Sequence, residues 1–221
     1  MEAGVCVGPF LVYNNRMKKL IYLSALFLFV SVVPVHAELT AVIRGAVIRG
    51  AVIAPAVAVD PCAGKSIGQA CTGGAIYAGT FDPQDGGGVK KYMTTPADAG
   101  LKQWAPEYAV TTATSTTDGV ANTTKIEAKG TTYVAGYYCG TLTAHGYSDW
   151  FLPANDELNL LYVNKAAIGG FDVSGNYPAS CYWSSTEGSN IIAWYQLFNS
   201  GVQYNNFAKG NTISVRCVRR Y

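Results

Sequence analysis

Five cysteines, Cys62, Cys71, Cys139, Cys181 and Cys217, stand downstream of an apolar leader. That combination sets the compartment, and with it the covalent chemistry, in which the rest of the chain folds. The leader has the layout of a secretory signal. Met17-Lys18-Lys19 is a basic start, Leu20 to Val35 is apolar, and Val35-His36-Ala37 places small residues at the outer positions of a cleavage site before Glu38. The apolar run is shorter than the roughly 20 residues a membrane span needs, and Pro34 interrupts its end. A cleaved signal over residues 17–37 is therefore expected rather than an anchor, with no stable membrane span after cleavage. No Cys follows the run, which argues against lipid attachment. Residues 1–16 do not fit a signal, so Met17 is the expected start.

An exported chain with several cysteines is expected to form disulfides. Cys62 and Cys71 flank a Gly-containing loop and are predicted to bridge locally. No C-x-x-C pair occurs, and His145 is the one histidine after the signal, so neither zinc nor any other metal or cofactor is expected. Charge is sparse. Asp, Glu, Lys and Arg make up 14% of the chain, with 16 basic and 14 acidic residues. Three of the basic residues (Arg16, Lys18, Lys19) and one acidic residue (Glu2) precede the cleavage point, so the mature protein is electrically balanced. A nucleic-acid partner, which calls for a basic stripe, is not expected.

Residues 38–61 contain a repeat, Ala41-Val42-Ile43-Arg44-Gly45, then Ala46-Val47-Ile48-Arg49-Gly50, then Ala51-Val52-Ile53. A period of five matches neither strand nor helix. The segment reads as a linker or as a β-prone tail that pairs with another chain. The domain proper is expected over 62–221. Gly74 to Gly79 reads as a first strand and Lys91 to Thr94 as a second. Asp118 to Lys129 reads as a polar lead-in to a helix over Tyr133 to Leu142. A second helix follows Pro153, with Leu158, Leu161 and Tyr162 on one face and Asp156 and Glu157 in its first turn. Short strands and loops follow Gly169-Gly170. The expected class is α+β, loop-rich, with two helices against a small, mostly antiparallel sheet.

Two ordered motif sets are specific. One is Gly146-Tyr147-Ser148-Asp149-Trp150-Phe151-Leu152-Pro153 with Asp156-Glu157-Leu158. The other is Tyr182-Trp183-Ser184-Ser185-Thr186-Glu187, Ala193-Trp194-Tyr195, Phe198-Asn199-Ser200-Gly201 and Val215-Arg216-Cys217-Val218-Arg219. Together they resemble the bacterial domain at the C-terminus of the Legionella collagen-like adhesin, a DUF1566 domain, from near Thr72 to Tyr221. The resemblance implies a C-type-lectin-like fold of the formylglycine-generating-enzyme subgroup, and a Cys139–Cys217 bridge contributing about 4 kcal/mol. Cys181 would then be free or bridged between chains. It also implies a possible homotrimer, while the cleaved signal implies a location that is secreted, periplasmic or at the bacterial surface. The chain departs from the family where Ala154 replaces the usual Thr or Ser helix cap and where Phe151 replaces the usual Arg. Asn155 is expected to take over the cap, at a cost of about 1 kcal/mol or less.

The tail from Tyr182 to Tyr221 resembles the variable protein of a diversity-generating retroelement, in which Asn codons become almost any residue within a fixed frame. That resemblance makes Trp183, Trp194 and Gly201 scaffold. It makes Asn190, Ile191, Ile192, Leu197, Val202, Tyr204, Asn205, Asn206, Phe207, Ala208, Gly210, Asn211 and Ile213 the ligand-binding set. Core residues on strands should alternate, whereas Ile191-Ile192 are adjacent and Phe207 sits among Asn205, Asn206 and Lys209. Tyr, Phe and Ile would supply contact area and Asn adaptable hydrogen bonds, as in antibody paratopes. The expected partner is a protein or glycan on another cell surface. The rival reading is a non-diversified adhesin for sulfated glycans that uses Lys209, Arg216, Arg219 and Arg220. An enzyme is not expected: no Ser-His-Asp or Cys-His set is available, Asp149 is expected to cap a turn, and no catalytic residue is assigned.

Overall fold

The computed structural model describes residues 59–221 apart from 107 and 109. The signal, the repeat and the proposed start at Met17 lie outside the described residues.

Glycine and turn residues bound a first pair of strands, β1 (Ile76–Phe81) and β2 (Lys90–Thr94), which pair antiparallel. The last strand, β8 (Val218–Arg220), adds antiparallel to β2, giving the order β1-β2-β8. Both ends of the domain therefore meet in one small sheet. The second sheet has the order β3-β7-β4-β5-β6. Its strands are β3 (Leu101–Gln103), β4 (Cys181–Glu187), β5 (Ile192–Leu197), β6 (Gln203–Ala208) and β7 (Thr212–Ser214). Among the described strands only the β4–β7 contact, through Tyr182 and Ser214, is parallel. The class is α+β, as the sequence suggests.

Every residue of β4 is buried. Its alternating side chains serve two hydrophobic clusters, one on each face. Trp183 enters a cluster with Trp104, Trp150, Tyr195, Phe207 and the Cys139–Cys217 bridge. Tyr182 enters the other, with Tyr92, Phe151, Leu158, Leu161 and Phe198. Each fully buried large side chain contributes about 1.5–3 kcal/mol, so this strand anchors both layers.

Among the described residues four helices pack on the sheets rather than the two expected. Helices α2 (Val134–Gly140) and α3 (Asn155–Val163) fall where the sequence places them, and α4 (Lys165–Ile168) is a single turn. Besides that single turn, the unexpected helix is α1 (Gly119–Glu127). Its apolar signal is weak because Asn122 and Thr123 fill its buried face. Asn122 bonds Ser115 and Ser185, and Thr123 bonds Leu152, so both polar side chains are satisfied inside. Asp118 caps α1 by accepting from Ala121 N at 3.0 Å.

The cap of α3 differs from expectation. Asn155 does not replace the missing Thr or Ser. Thr186 of β4 accepts from Asn155 N at 3.1 Å, Thr116 O accepts from Asp156 N at 2.8 Å, and Glu157 accepts from Ala154 N at 2.8 Å. Tertiary partners thus satisfy the donors that a local side chain satisfies elsewhere. Glu157 also receives Gly119 N at 3.0 Å and Tyr92 Oη at 2.7 Å, joining α1, α3 and β2 at one buried carboxyl. A Cβ on Gly119 would collide with that carboxyl and with Leu152 O.

The disulfides Cys62–Cys71 and Cys139–Cys217 are both present. Cys181 is itself disulfide-bonded, so the free-thiol alternative does not hold. Asp149 does not cap a turn; it accepts from Arg219 Nε at 2.5 Å. Among the described residues no helix is long and apolar enough to cross a membrane, and no group of His, Cys, Asp and Glu is arranged to hold a metal.

Candidate functional site

The tail singled out by sequence folds into the β4–β5–β6 meander, then β7 and β8. Its structure divides the predicted contact residues into two groups. Asn190, Ile191, Val202, Asn205 and Asn206 are exposed, while Ile192, Tyr204, Ala208, Gly210 and Asn211 are partly covered. Leu197 and Ile213 are fully buried and Phe207 is 5% exposed. These last three are core residues and offer nothing to a ligand, which corrects their assignment to the contact set.

The reason Phe207 misleads is a bulge. Ala193 pairs with Phe207 and Tyr195 with Tyr204, so two residues of β6, Asn205 and Asn206, stand opposite Trp194 alone. The extra residue shifts the phase of β6 by one. Phe207 and Tyr204 both turn to the core face, where Phe207 packs on Tyr195 at 5.0 Å and on Trp183 at 5.6 Å between ring centroids. Tyr204 stacks on Tyr195 at 5.6 Å. A strict two-residue alternation would have put one of them outside. Ile191 and Ile192 are adjacent for a simpler reason: Ile191 belongs to the β4–β5 loop and Ile192 begins β5.

The loops at this end of the sheet are held by their own backbone. Gly188 N and Ser189 N both donate to Ile192 O at 3.0 Å, and Lys209 N donates to Ile191 O at 2.9 Å. Gln103 donates to Gly210 O at 2.7 Å, tying the β6–β7 turn to β3. At the opposite end, Gly201 has a φ of 83°, and the space where its Cβ would stand is filled by the Tyr162 ring. Gly201 is therefore fixed by both conformation and close approach.

The four cations considered for sulfated ligands are all committed. Lys209 is fully buried, with its Nζ 2.5 Å from Glu187 Oε1 and 4.6 Å from the centroid of the Trp104 ring. Burial lowers its pKa and the neighbouring carboxylate opposes the shift. Arg216 is also fully buried; it pairs with Asp98 at 2.6 Å and donates to Thr95 O and Gly170 O at 2.6 Å each. Arg219 pairs with Asp149. Arg220 lies between Asp85, Asp118 and Glu157 at 3.1, 3.1 and 3.4 Å. Each of the four holds elements of the fold together.

Trp194 departs from its expected scaffold role. Trp183 is completely buried and its Nε1 donates to Lys102 O at 2.9 Å. Trp104 and Trp150 likewise donate to the carbonyls of Ser184 and Ala144. Trp194 is only partly covered and, among the described residues, its indole N–H meets no acceptor. The sequence signal for this was present: Trp194 alternates with Ala193 and Tyr195, both fully buried.

Fold and site together define a disulfide-bridged α+β domain that presents an uncharged loop-and-hairpin surface. The chain belongs to the family described as the Lcl C-terminal domain, whose model matches residues 94–219. That membership makes it a bacterial domain. Among solved structures it is similar to a fimbrial protein from Bacteroides ovatus ATCC 8483, at 15% identity and a TM-score of 0.45. The match covers 69% of this chain and 44% of the fimbrial protein, so the chain spans less than half of that protein's length. No curated protein matches.

Proposed function

We propose that this is an exported binding protein, not an enzyme, in which a C-type-lectin-like scaffold carries a diversified recognition surface. One observation carries the reading. Between Gly188 and Val215 the single charged residue is Lys209, and it is buried, so everything this stretch offers to solvent is neutral, amide-bearing or apolar. Asn190, Ile191, Val202, Asn205 and Asn206 project from loops and from a bulge. Replacing them disturbs no core contact, while Trp183, Leu197, Phe207 and Ile213 hold the frame from beneath. Variable residues on a fixed support are what a diversified site requires. The meeting of the domain's ends in the β1-β2-β8 sheet, with the Cys139–Cys217 bridge, supports the lectin-like reading of the scaffold. The sulfated-glycan alternative loses its cations to internal carboxylates.

The test is genetic. A second copy of the DNA encoding residues 183–219, differing at adenines and lying beside a reverse-transcriptase gene, is expected. Differences between the copies, and between sister proteins, should fall on Asn190, Ile191, Val202, Asn205 and Asn206. They should spare Leu197, Phe207 and Ile213. Substitutions distributed over both groups alike, or no second copy at all, would refute diversification.

A further inference from the structure

We infer that Trp194 is the stacking platform of an uncharged-saccharide site on the outer face of the β5–β6 hairpin, an inference that rests on the recognition surface proposed above. Ile192, Trp194 and Ala208 share the face opposite Ala193, Tyr195 and Phe207, and Ile192 pairs directly with Ala208. The bulge sets Asn205 and Asn206 across from Trp194, both exposed. An indole with a free N–H therefore stands beside two primary amides. Further along the strands, Gln196 and Gln203 are oriented by Asn159 and Asn155 of α3 through bonds of 2.8 and 3.0 Å.

This is the chemistry of sugar recognition. An aromatic face accepts the C–H surface of a pyranose, and amides bond its hydroxyls as both donor and acceptor. The stretch from Gly188 to Val215 exposes no charge, so a sulfated or carboxylated ligand finds no counter-ion on it. A second polar atom without a partner lies on α3, beside Gln203. Asn155 is 5% exposed; its Nδ2 donates to Gln203, and its Oδ1 is buried with no partner. Size also decides. A protein–protein interface of standard size engages about 20–30 residues a side, whereas the residues named for this patch number fewer than ten. An oligosaccharide matches it.

The experiment titrates the oxidised, full-length mature protein with laminarihexaose, mannohexaose and chitohexaose, and with a heparin hexasaccharide as the anionic probe. The readout combines calorimetry with the four indole N–H signals in nitrogen-15 spectra. At least one neutral hexaose should bind and move the Trp194 signal, leaving those of Trp104, Trp150 and Trp183 in place. Trp194→Ala should weaken binding about 30-fold or more, with an unchanged melting temperature. Trp194→Phe should retain part of the affinity. Binding that survives Trp194→Ala would overturn the platform, and heparin binding lost in Trp194→Ala would overturn the neutrality argument. If no hexaose binds, the saccharide assignment fails and a protein ligand takes its place. The adenine-directed pattern of substitutions is measured separately, so that failure leaves the diversified surface to be judged on its own.

Discussion

Replacing Lys209 by Ala should unfold the domain more readily without touching any exposed surface. Lys209 falls inside the segment read from sequence as contact surface, yet its side chain is completely buried against Glu187, which is 5% exposed. Glu187 also accepts from Thr111 N at 2.9 Å and Thr112 N at 2.8 Å. Removing the ammonium leaves a buried carboxylate without this cation. Breaking a buried pair from one side costs about 3–5 kcal/mol, because the remaining charge keeps its desolvation penalty. For a domain of this size each kcal/mol moves the melting temperature by about 2–4 °C, so a fall of at least 6 °C is expected. The double variant Lys209→Met, Glu187→Gln removes both charges, conserves volume and keeps an acceptor for the two backbone donors. It should be more stable than the sum of the single changes by about 2 kcal/mol. Urea unfolding followed by tryptophan fluorescence suits the measurement, since Trp104 lies against Lys209. An unchanged midpoint for Lys209→Ala, or strict additivity in the double variant, would refute the buried-pair argument. Position 209 would then return to the candidate binding surface.

Two further predictions concern the same hairpin and its support. Phe207→Ala should cost about 3–5 kcal/mol by opening the cluster around Trp183, while Asn206→Ala, one residue away, should stay within about 0.5 kcal/mol; denaturant midpoints of the pair measure the bulge's effect directly. Glu157 gives a pH dependence. Burial, opposed by bonds from Ala154 N and Tyr92, pushes its carboxyl up to about 7 from an ordinary 4.5. A raised folded-state pKa means that the folded state holds the proton more tightly. Its stabilisation is complete below about pH 4.5 and is lost as pH rises through 7, about 3 kcal/mol over that window. Melting temperatures between pH 4 and 8 should therefore carry a downward component that is missing in Glu157→Gln; identical profiles for the two proteins would rule it out.

Much of the fold is legible along the chain. The strand read between Gly74 and Gly79 locates β1, which continues through Gly79 to Phe81, the run from Lys91 to Thr94 locates β2, and the 3.6-residue spacing of Leu158, Leu161 and Tyr162 locates α3. These signals are local, carried by backbone preference and side-chain period. Helix α1 escapes because Asn122 and Thr123 replace its apolar stripe, and their partners Ser185 and Leu152 lie far along the chain. The cap of α3 escapes likewise, since Thr186 supplies it from another strand.

The division is sharpest in the tail from Trp183 to Arg219. Its residue types alone determine that it is aromatic, rich in amides and sparing of charge, with Glu187, Lys209, Arg216 and Arg219 as its charged residues. Composition does not depend on where the strands go. Which of those residues face solvent is a tertiary outcome. One extra residue in β6 reverses the phase, burying Phe207 and exposing Asn205 and Asn206 together. Carboxylates distant in sequence, Glu187, Asp98 and Asp149, remove the cations that the sequence offers to an anionic ligand. Trp194 is left with an unpaired N–H because β5 presents it on the face away from the core. Bulge and ion pairing are properties of neighbours brought together by the sheet, and no reading along the chain contains them.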